Sequence, residues 1–334
     1  MPRRSRIDAA GALHHVIGRG IERREIFNDD TDRFAFLNRL EKVLTETITG
    51  CLAWSLMPNH FHLLLRTGTV PIATVMRRLL TGYAQDYNRR HNRHGQLFQN
   101  RYKSILCQEE PYLMELVRYI HLNPLRARIV GDMTQLDTYA FSGHAALLGR
   151  IERVWQDVGF VLSHFGKRSS NARKQYRAFV EHGIHQGHRY DLIGGGLVRS
   201  AGGWKGVLEM RANGGRLKGD ERILGDTEFV LRVMREAEET LERQMKLKHQ
   251  GWDLERLAQR VKELTGINPL RERGRYRPVV QARRLFCTWA VHDLGMSGAA
   301  LAKELGITPA AVSMAVRQGN WLIEERGWTL QENN

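Results

Sequence analysis

The stretch Ser55–Gly68, SLMPNHFHLLLRTG, places His60 and His62 on either side of a single phenylalanine. Along an extended strand, positions i and i+2 share a face. This spacing therefore sets two imidazoles side by side and turns Phe61 and Leu63 the other way. Neighbouring neutral imidazoles are ligands for a divalent metal. A histidine-triad hydrolase would carry a third alternating histidine, but that position is Leu64, and no further His or Cys follows at zinc-site spacing. A lone HxH pair is more often two unrelated histidines. A second stretch, Tyr112–Val130, reads YLMELVRYIHLNPLRARIV and holds Tyr119 and Asn123 four positions apart. On a helix these stack on one face. A tyrosine hydroxyl is a covalent nucleophile when activated, and an amide oxygen suits a hard cation. A tyrosine at the edge of a core gives the same pattern, so the residues alone leave both readings open.

The elements that must carry these groups can be read from periodicity. Leu13–Arg19 is β-rich, Asp30–Thr49 has helical apolar spacing with Asp29 or Asp30 as cap, and Cys51–Arg66 reads as two strands broken at Pro58–Asn59. Ile72–Arg90 is helical, Leu97–Cys107 is strand-like, and Pro111–His121 is helical with Glu109 and Glu110 at its positive end. Pro124 disfavours helical backbone at the residue before it, which predicts that this helix ends near Asn123. The β-α-β-β-α-β order with a final helix predicts an α+β fold, one antiparallel sheet covered by helices.

Composition divides the 334 residues into three regions, 1–130, 131–227 and 228–334. The middle region, with glycine pairs and triplets at 194–196, 202–203 and 214–215, reads as an irregular connector with a helix near Asn171–His182. The last region reads as all-helical. In SGAALAKELGITPAAVSMAVRQGN, Ser297 caps one helix, Gly306 ends it, and Thr308–Pro309 opens another. Two short helices about a glycine turn form a helix-turn-helix candidate, with Ser313 and Arg317 on the exposed side of the second helix.

Lys and Arg number 51 against 36 Asp and Glu, a formal charge of +15, which points to a polyanionic partner, nucleic acid first. No apolar run reaches the roughly 20 residues of a membrane span, and the basic N-terminus lacks the apolar core of a secretory signal. Cys51, Cys107 and Cys287 form no CxxC pair, so a reducing, cytoplasmic setting is expected.

Four segments, GRGIERREIFNDDTDRFAFL, SLMPNHFHLLLRT, HGQLFQNRYKS and VRYIHLNPLRARIV, together resemble the REP-associated branch of the single-tyrosine HUH transposases, over about residues 6–130. The resemblance implies a ferredoxin-like sheet with His60–Phe61–His62 on a central strand holding a divalent metal, Mg²⁺ or Mn²⁺. It implies Tyr119 as the nucleophile of a Tyr-Ile-His-x-Asn-Pro motif and Asn123 as third ligand. The implied reaction is cleavage and transfer of single-stranded, hairpin-forming repeat DNA through a 5′-phosphotyrosine. The absence of a GxxxxGK[ST] loop agrees, because the phosphotyrosine conserves the bond energy. The stretch ARRLFCTWAVHDLGMSGAALAKELGITPAAVSMAV is similar to the DNA-binding domain of bacterial replication-initiator DnaA proteins, which implies duplex binding by the last region.

Arg19, Arg23, Arg24, Arg101 and Lys103 are candidates for phosphate contacts, and Tyr83, Tyr87 and Tyr102 for base stacking or core. His14, His15, His91, His94 and His121 are read as polar or packing residues, His121 pointing away from Tyr119. One tyrosine per chain is compatible with a homodimer that makes paired cleavages. The alternative function is a domesticated, catalytically silent, sequence-specific DNA-binding regulator. An RNA-binding sheet ranks below both, since no RNP-type string occurs.

Overall fold

The computed structural model describes residues 11–68, 70–99, 101–187, 189, 192, 220 and 222–331. The chain divides into two compact units, Met1–Val233 and Met234–Asn334. The glycine-rich stretches of the middle region lie outside the described residues.

The first unit begins β1 (Leu13–Arg19), α1 (Asp30–Thr47), β2 (Gly50–Met57), β3 (His60–Arg66), α2 (Ile72–Arg90), β4 (Lys103–Cys107), α3 (Glu109–Arg126). The sheet order is β2-β3-β1-β4-β5, with β5 (Ile223–Leu224) parallel to β4 and every other neighbour antiparallel. Its first four strands have the ferredoxin-like order. Asp29 caps α1 by accepting from the Asp32 amide at 3.0 Å. Pro58 and Asn59 turn the β2–β3 hairpin, and the Pro58 carbonyl accepts from the amides of Ile26 and Phe27 at 2.8 and 3.1 Å.

Strand alternation sorts the core into two layers. Val16, Phe61, Leu63 and Leu65 face α1 and α2, packing with Phe36, Leu40 and Leu79. Phe61 lies so close to β1 that a Cβ at Gly18 would come within 2.3 Å of its ring. Tyr83 and Tyr87 belong to this layer and are buried. The Tyr83 hydroxyl bonds the Ile26 carbonyl, and that of Tyr87 bonds Asn28 at 2.8 Å. They therefore serve the core, and the stacking alternative falls. Leu13, Leu64 and Ile105 face the opposite way, onto Leu113, Leu116 and Ile120 of α3.

Three expectations are corrected. The helix α3 continues through Asn123 and Pro124 to Arg126. Proline removes one amide donor, but burial of Leu122 and Pro124 in the packed layer offsets that loss. Residues 131–227 are not simply a connector. The helices α4 (Met133–Thr138), α5 (Gly143–Leu147), α6 (Val158–Ser163) and α7 (Ser169–His182), the last of them expected near Asn171–His182, contribute Leu136, Leu147, Val161, Tyr176 and Val180 to the core beneath α3. The first three span barely two turns, too short to show a helical period; each instead starts at a side-chain cap, Asp132, Ser142 or Asp157. The strand expected from Leu97 begins only at Lys103, with Phe98 making an isolated bridge to Gly20.

The second unit is helical. It contains most of α8 (Thr227–His249), then α9 (Leu254–Thr265), α10 (Arg277–His292), α11 (Gly298–Leu305) and α12 (Pro309–Arg326). Leu257, Phe286, Trp289, Leu301, Val312 and Val316 form its core. Ser297 and Thr308 cap α11 and α12 at 3.1 Å each, and Gly306 takes the left-handed turn between them at φ +62°. No helix among the described residues is long and apolar enough to cross a membrane.

Candidate active site

The register of β1 and β3 builds the site. Arg19 pairs with His60, Ile17 with His62, and His15 with Leu64. Paired residues share a face, so β1 and β3 turn Arg19, His15, His60 and His62 together toward α3. Lys103 pairs with Ile17 across β4 and lies on the same face. From α3 comes Tyr119, whose ring centroid is 5.8 Å from that of His62 and 6.1 Å from that of His15. The rings of His60 and His62 are 5.2 Å apart. The sequence-predicted imidazole pair and tyrosine thus meet, although they come from different elements.

Each imidazole is held at Nδ1. His60 Nδ1 lies 2.6 Å from Asn59 Oδ1, and His62 Nδ1 lies 2.9 Å from His15 Nε2. Asn59 Oδ1 accepts from His60 Nδ1–H, which leaves Nε2 as the basic nitrogen of that ring, the arrangement usual for metal-ligating histidines. Burial, aided by Arg19, brings His60 down to about 4. Burial, with His15, His60 and Arg19, holds His62 well below the ordinary histidine value. Both are therefore neutral at pH 7, the form that binds metal. Asn123 stands one turn after Tyr119 on α3, and its Nδ2 is buried with no hydrogen-bond partner. The Ser55 hydroxyl, on the residue paired with His62, is likewise buried and unpartnered. Among the described residues no three His, Cys, Asp or Glu side chains converge on one metal. The donor set fits a divalent ion that takes two imidazoles, an amide and oxygens from water or substrate.

Tyr119 is 5% exposed. Burial pushes its phenol up, and Arg126 and Arg19 oppose that shift. The Arg126 guanidinium sits 5.7 Å from the Tyr119 ring centroid. Its Nη2 donates to the Gly183 carbonyl at 3.0 Å, while Nε and Nη1 are buried without partners. Burial also holds this guanidinium below its usual value. Two nitrogens of this guanidinium thus make no hydrogen bond to the protein.

The remaining predicted residues distribute unevenly. Arg19 and Lys103 lie on the site face. Arg23 is exposed in the loop after β1, and its carbonyl accepts from Asn59 Nδ2 at 3.1 Å beside His60. Arg24 is exposed and pairs with Glu22 at 3.0 Å, and Arg101 is exposed in the bend before β4. Ser313 and Arg317 belong to α12 of the second unit. His15 and Arg126 were missed by sequence reasoning. His15 looked like packing until sheet pairing brought it to His62; its signal was a second alternating strand, LHHVIGR, with a histidine on the matching face.

Behind Tyr119, on the far side of α3, lies a buried polar chain. His121 points away from the tyrosine, as expected, and its Nδ1 is 2.8 Å from the Tyr176 hydroxyl. The same hydroxyl is 2.7 Å from His144 Nδ1, and His144 Nε2 is 3.0 Å from Asp137 Oδ1. Arg177 Nε donates to the other Asp137 oxygen at 2.8 Å. A carboxylate only accepts, so His144 carries its proton on Nε2 and accepts at Nδ1. The Tyr176 O–H must then donate to His144 and accept from His121 Nδ1–H. Every proton in the chain is fixed by the carboxylate at its end.

The sheet thus turns an imidazole pair toward a tyrosine borne on a helix. Residues 10–123 match the family described as transposase IS200 like, which covers about a third of the chain. The match runs from just before β1 to Asn123 in α3. It ends at residue 123, so it lends no support to the DnaA-like reading of the second unit. Among solved structures, the chain is similar to one described as "Structure of the REP associates tyrosine transposase bound to a REP hairpin". The identity is 16%, the TM-score 0.37, and the alignment covers 47% of this chain and 98% of that one. No curated protein matches the chain.

Proposed function

We propose that the first unit is a metal-dependent single-strand DNA endonuclease and strand transferase, acting on hairpin-forming repeat DNA. The observation that carries this reading is the meeting of Tyr119 with His60 and His62 across one face of the sheet. In the proposed step the Tyr119 oxygen attacks a backbone phosphorus. The O–P bond to tyrosine forms, the bond from phosphorus to the 3′ oxygen breaks, and the 3′ oxygen leaves as a hydroxyl. The 5′-phosphotyrosine then returns the phosphoryl group to an incoming 3′-hydroxyl, so no nucleotide cofactor is needed.

His60, His62 and Asn123 would hold Mg²⁺ or Mn²⁺, which when bound supplies Lewis-acid polarisation of the scissile phosphate. His15 holds the His62 ring in one orientation. Arg126 and Arg19 offset the burial that disfavours ionised Tyr119, and the two unpartnered Arg126 N–H groups suit the charge that develops on a phosphoryl oxygen. Lys103 on the site face and the exposed Arg23, Arg24 and Arg101 are assigned to phosphate contacts. Ser313 and Arg317 are assigned to duplex contacts by the second unit.

The test is a covalent-adduct gel. Wild type and Tyr119→Phe are incubated with labelled single-stranded hairpin DNA, with and without Mn²⁺. A denaturation-resistant band that requires both wild-type protein and metal supports the assignment. DNA shifted in a native gel without any such band favours the catalytically silent binding protein.

A further inference from the structure

The second unit contains a cleft of about 370 Å³ between α10 and the C-terminal half of α12. Arg275, Arg277, Arg284 and Arg326 line it, with Glu325 as its one acidic residue. Among the described residues none of these four arginines makes an ion pair, in a protein where many others do. The Arg284 Nε is buried with no hydrogen-bond partner. Like charges gathered around one concavity repel one another, and a buried N–H left unpaired costs about 1–3 kcal/mol. Both costs fall when an anion enters.

The cleft also has an apolar wall. Trp321 lines it and is 64% exposed, and Tyr276, between Arg275 and Arg277 in sequence, is 54% exposed. An anion site alone does not explain a tryptophan held in water at its edge. Arginines interleaved with exposed aromatic rings match a strand that offers phosphates at intervals and flat base faces between them. In a duplex those faces are stacked away, so only an unpaired strand uses Trp321.

We propose that this cleft is a binding site for unpaired nucleic acid, with Trp321 as its stacking platform and Arg277 and Arg284 as phosphate contacts. The inference does not rest on Tyr119 or on metal. It differs from the duplex-binding assignment of Ser313 and Arg317, because it concerns the C-terminal half of α12 and the start of α10.

The test uses the full chain, with fluorescence anisotropy of labelled oligo(dT) and of a duplex of equal length, without divalent metal. Trp321→Ala is expected to weaken oligo(dT) binding about tenfold while changing duplex binding less than twofold, and Trp321→Phe to restore most of the loss. Arg277→Gln with Arg284→Gln is expected to lower the slope of log K against log salt by about 1.4, at roughly 0.7 per single-strand phosphate contact. Unchanged thermal unfolding of the second unit confirms that the variants are folded. Three results overturn the proposal: oligo(dT) affinity and slope unaltered in both variants, equal losses on single strand and duplex, or loss on anionic vesicles alone. Covalent cleavage that survives in Trp321→Ala separates this outcome from any failure of the Tyr119 assignment.

Discussion

Replacing Tyr176 by phenylalanine probes how α3, the helix that carries Tyr119, is held. The ring is fully buried and phenylalanine fills its volume, so the substitution removes one hydroxyl and leaves no large cavity. That hydroxyl serves two partners, accepting from His121 Nδ1–H at 2.8 Å and donating to His144 Nδ1 at 2.7 Å. Both imidazoles are 0% exposed, so water cannot replace it. One orphaned donor and one orphaned acceptor, at about 1–3 kcal/mol each, give a loss of about 2–6 kcal/mol. An ordinary hydrogen bond would lose only about 1 kcal/mol. For a domain of this size, about 2–4 °C per kcal/mol converts the larger loss to a fall on the order of 5–20 °C. Calorimetry of the full chain reads this as a shift of the first unit's transition with the second unmoved. The double variant His121→Leu, Tyr176→Phe removes the orphaned donor and is expected to recover part of the loss. A shift under about 2 °C, or a double variant no more stable than the single one, would refute the proton assignment.

Other consequences follow from the same geometry. Arg126→Gln removes the unpartnered N–H groups beside Tyr119 and is expected to slow single-turnover cleavage by about 10²–10³-fold; a full rate contradicts the role given to it. Gly18→Ala drives a methyl to within 2.3 Å of the buried Phe61 ring and is expected to cost about 1–3 kcal/mol in urea unfolding. An unchanged midpoint would mean that β1 and β3 do not approach as described. His144 is held below its ordinary value by burial, against the pull of Asp137. Its neutral form therefore stabilises the fold above the unfolded value of about 6.5, and this contribution is lost as pH falls below it. The first unit's Tm is expected to drop between pH 7.5 and 5.5, more steeply in wild type than in His144→Leu, and equal slopes would contradict the assignment.

The period-two alternation of HFHLLLR placed His60 and His62 on one face because a strand allows no other arrangement, and Tyr119 and Asn123 followed from the helical period in the same way. The glycine turn and both caps of α11 and α12 were legible for a similar reason, since Ser297, Gly306 and Thr308 each act locally. His15 was not legible. Its partner lies 47 residues away and is chosen by strand register, which no local pattern records. Arg126 lay hidden beyond a proline that predicted a helix end, and only packing of α3 between the sheet and α7 carries the helix past it. Tyr176 lies on a helix whose apolar face is clear, but its bonds to His121 and His144 depend on the docking of α5 and α7. Local chemistry could be read from the sequence, whereas pairing between elements required the fold.

The central claim is that Tyr119 itself becomes linked to DNA. Trypsin cuts after Arg118 and Arg126, releasing Tyr119–Arg126, a peptide with a single tyrosine. The covalent adduct formed with hairpin DNA and Mn²⁺ is digested with nuclease and trypsin and sequenced by mass spectrometry. The account predicts a nucleotide joined through its 5′ phosphate to Tyr119 in that peptide. A linkage to any other residue, or an unmodified Tyr119–Arg126 peptide from a sample that has cleaved its DNA, would contradict it.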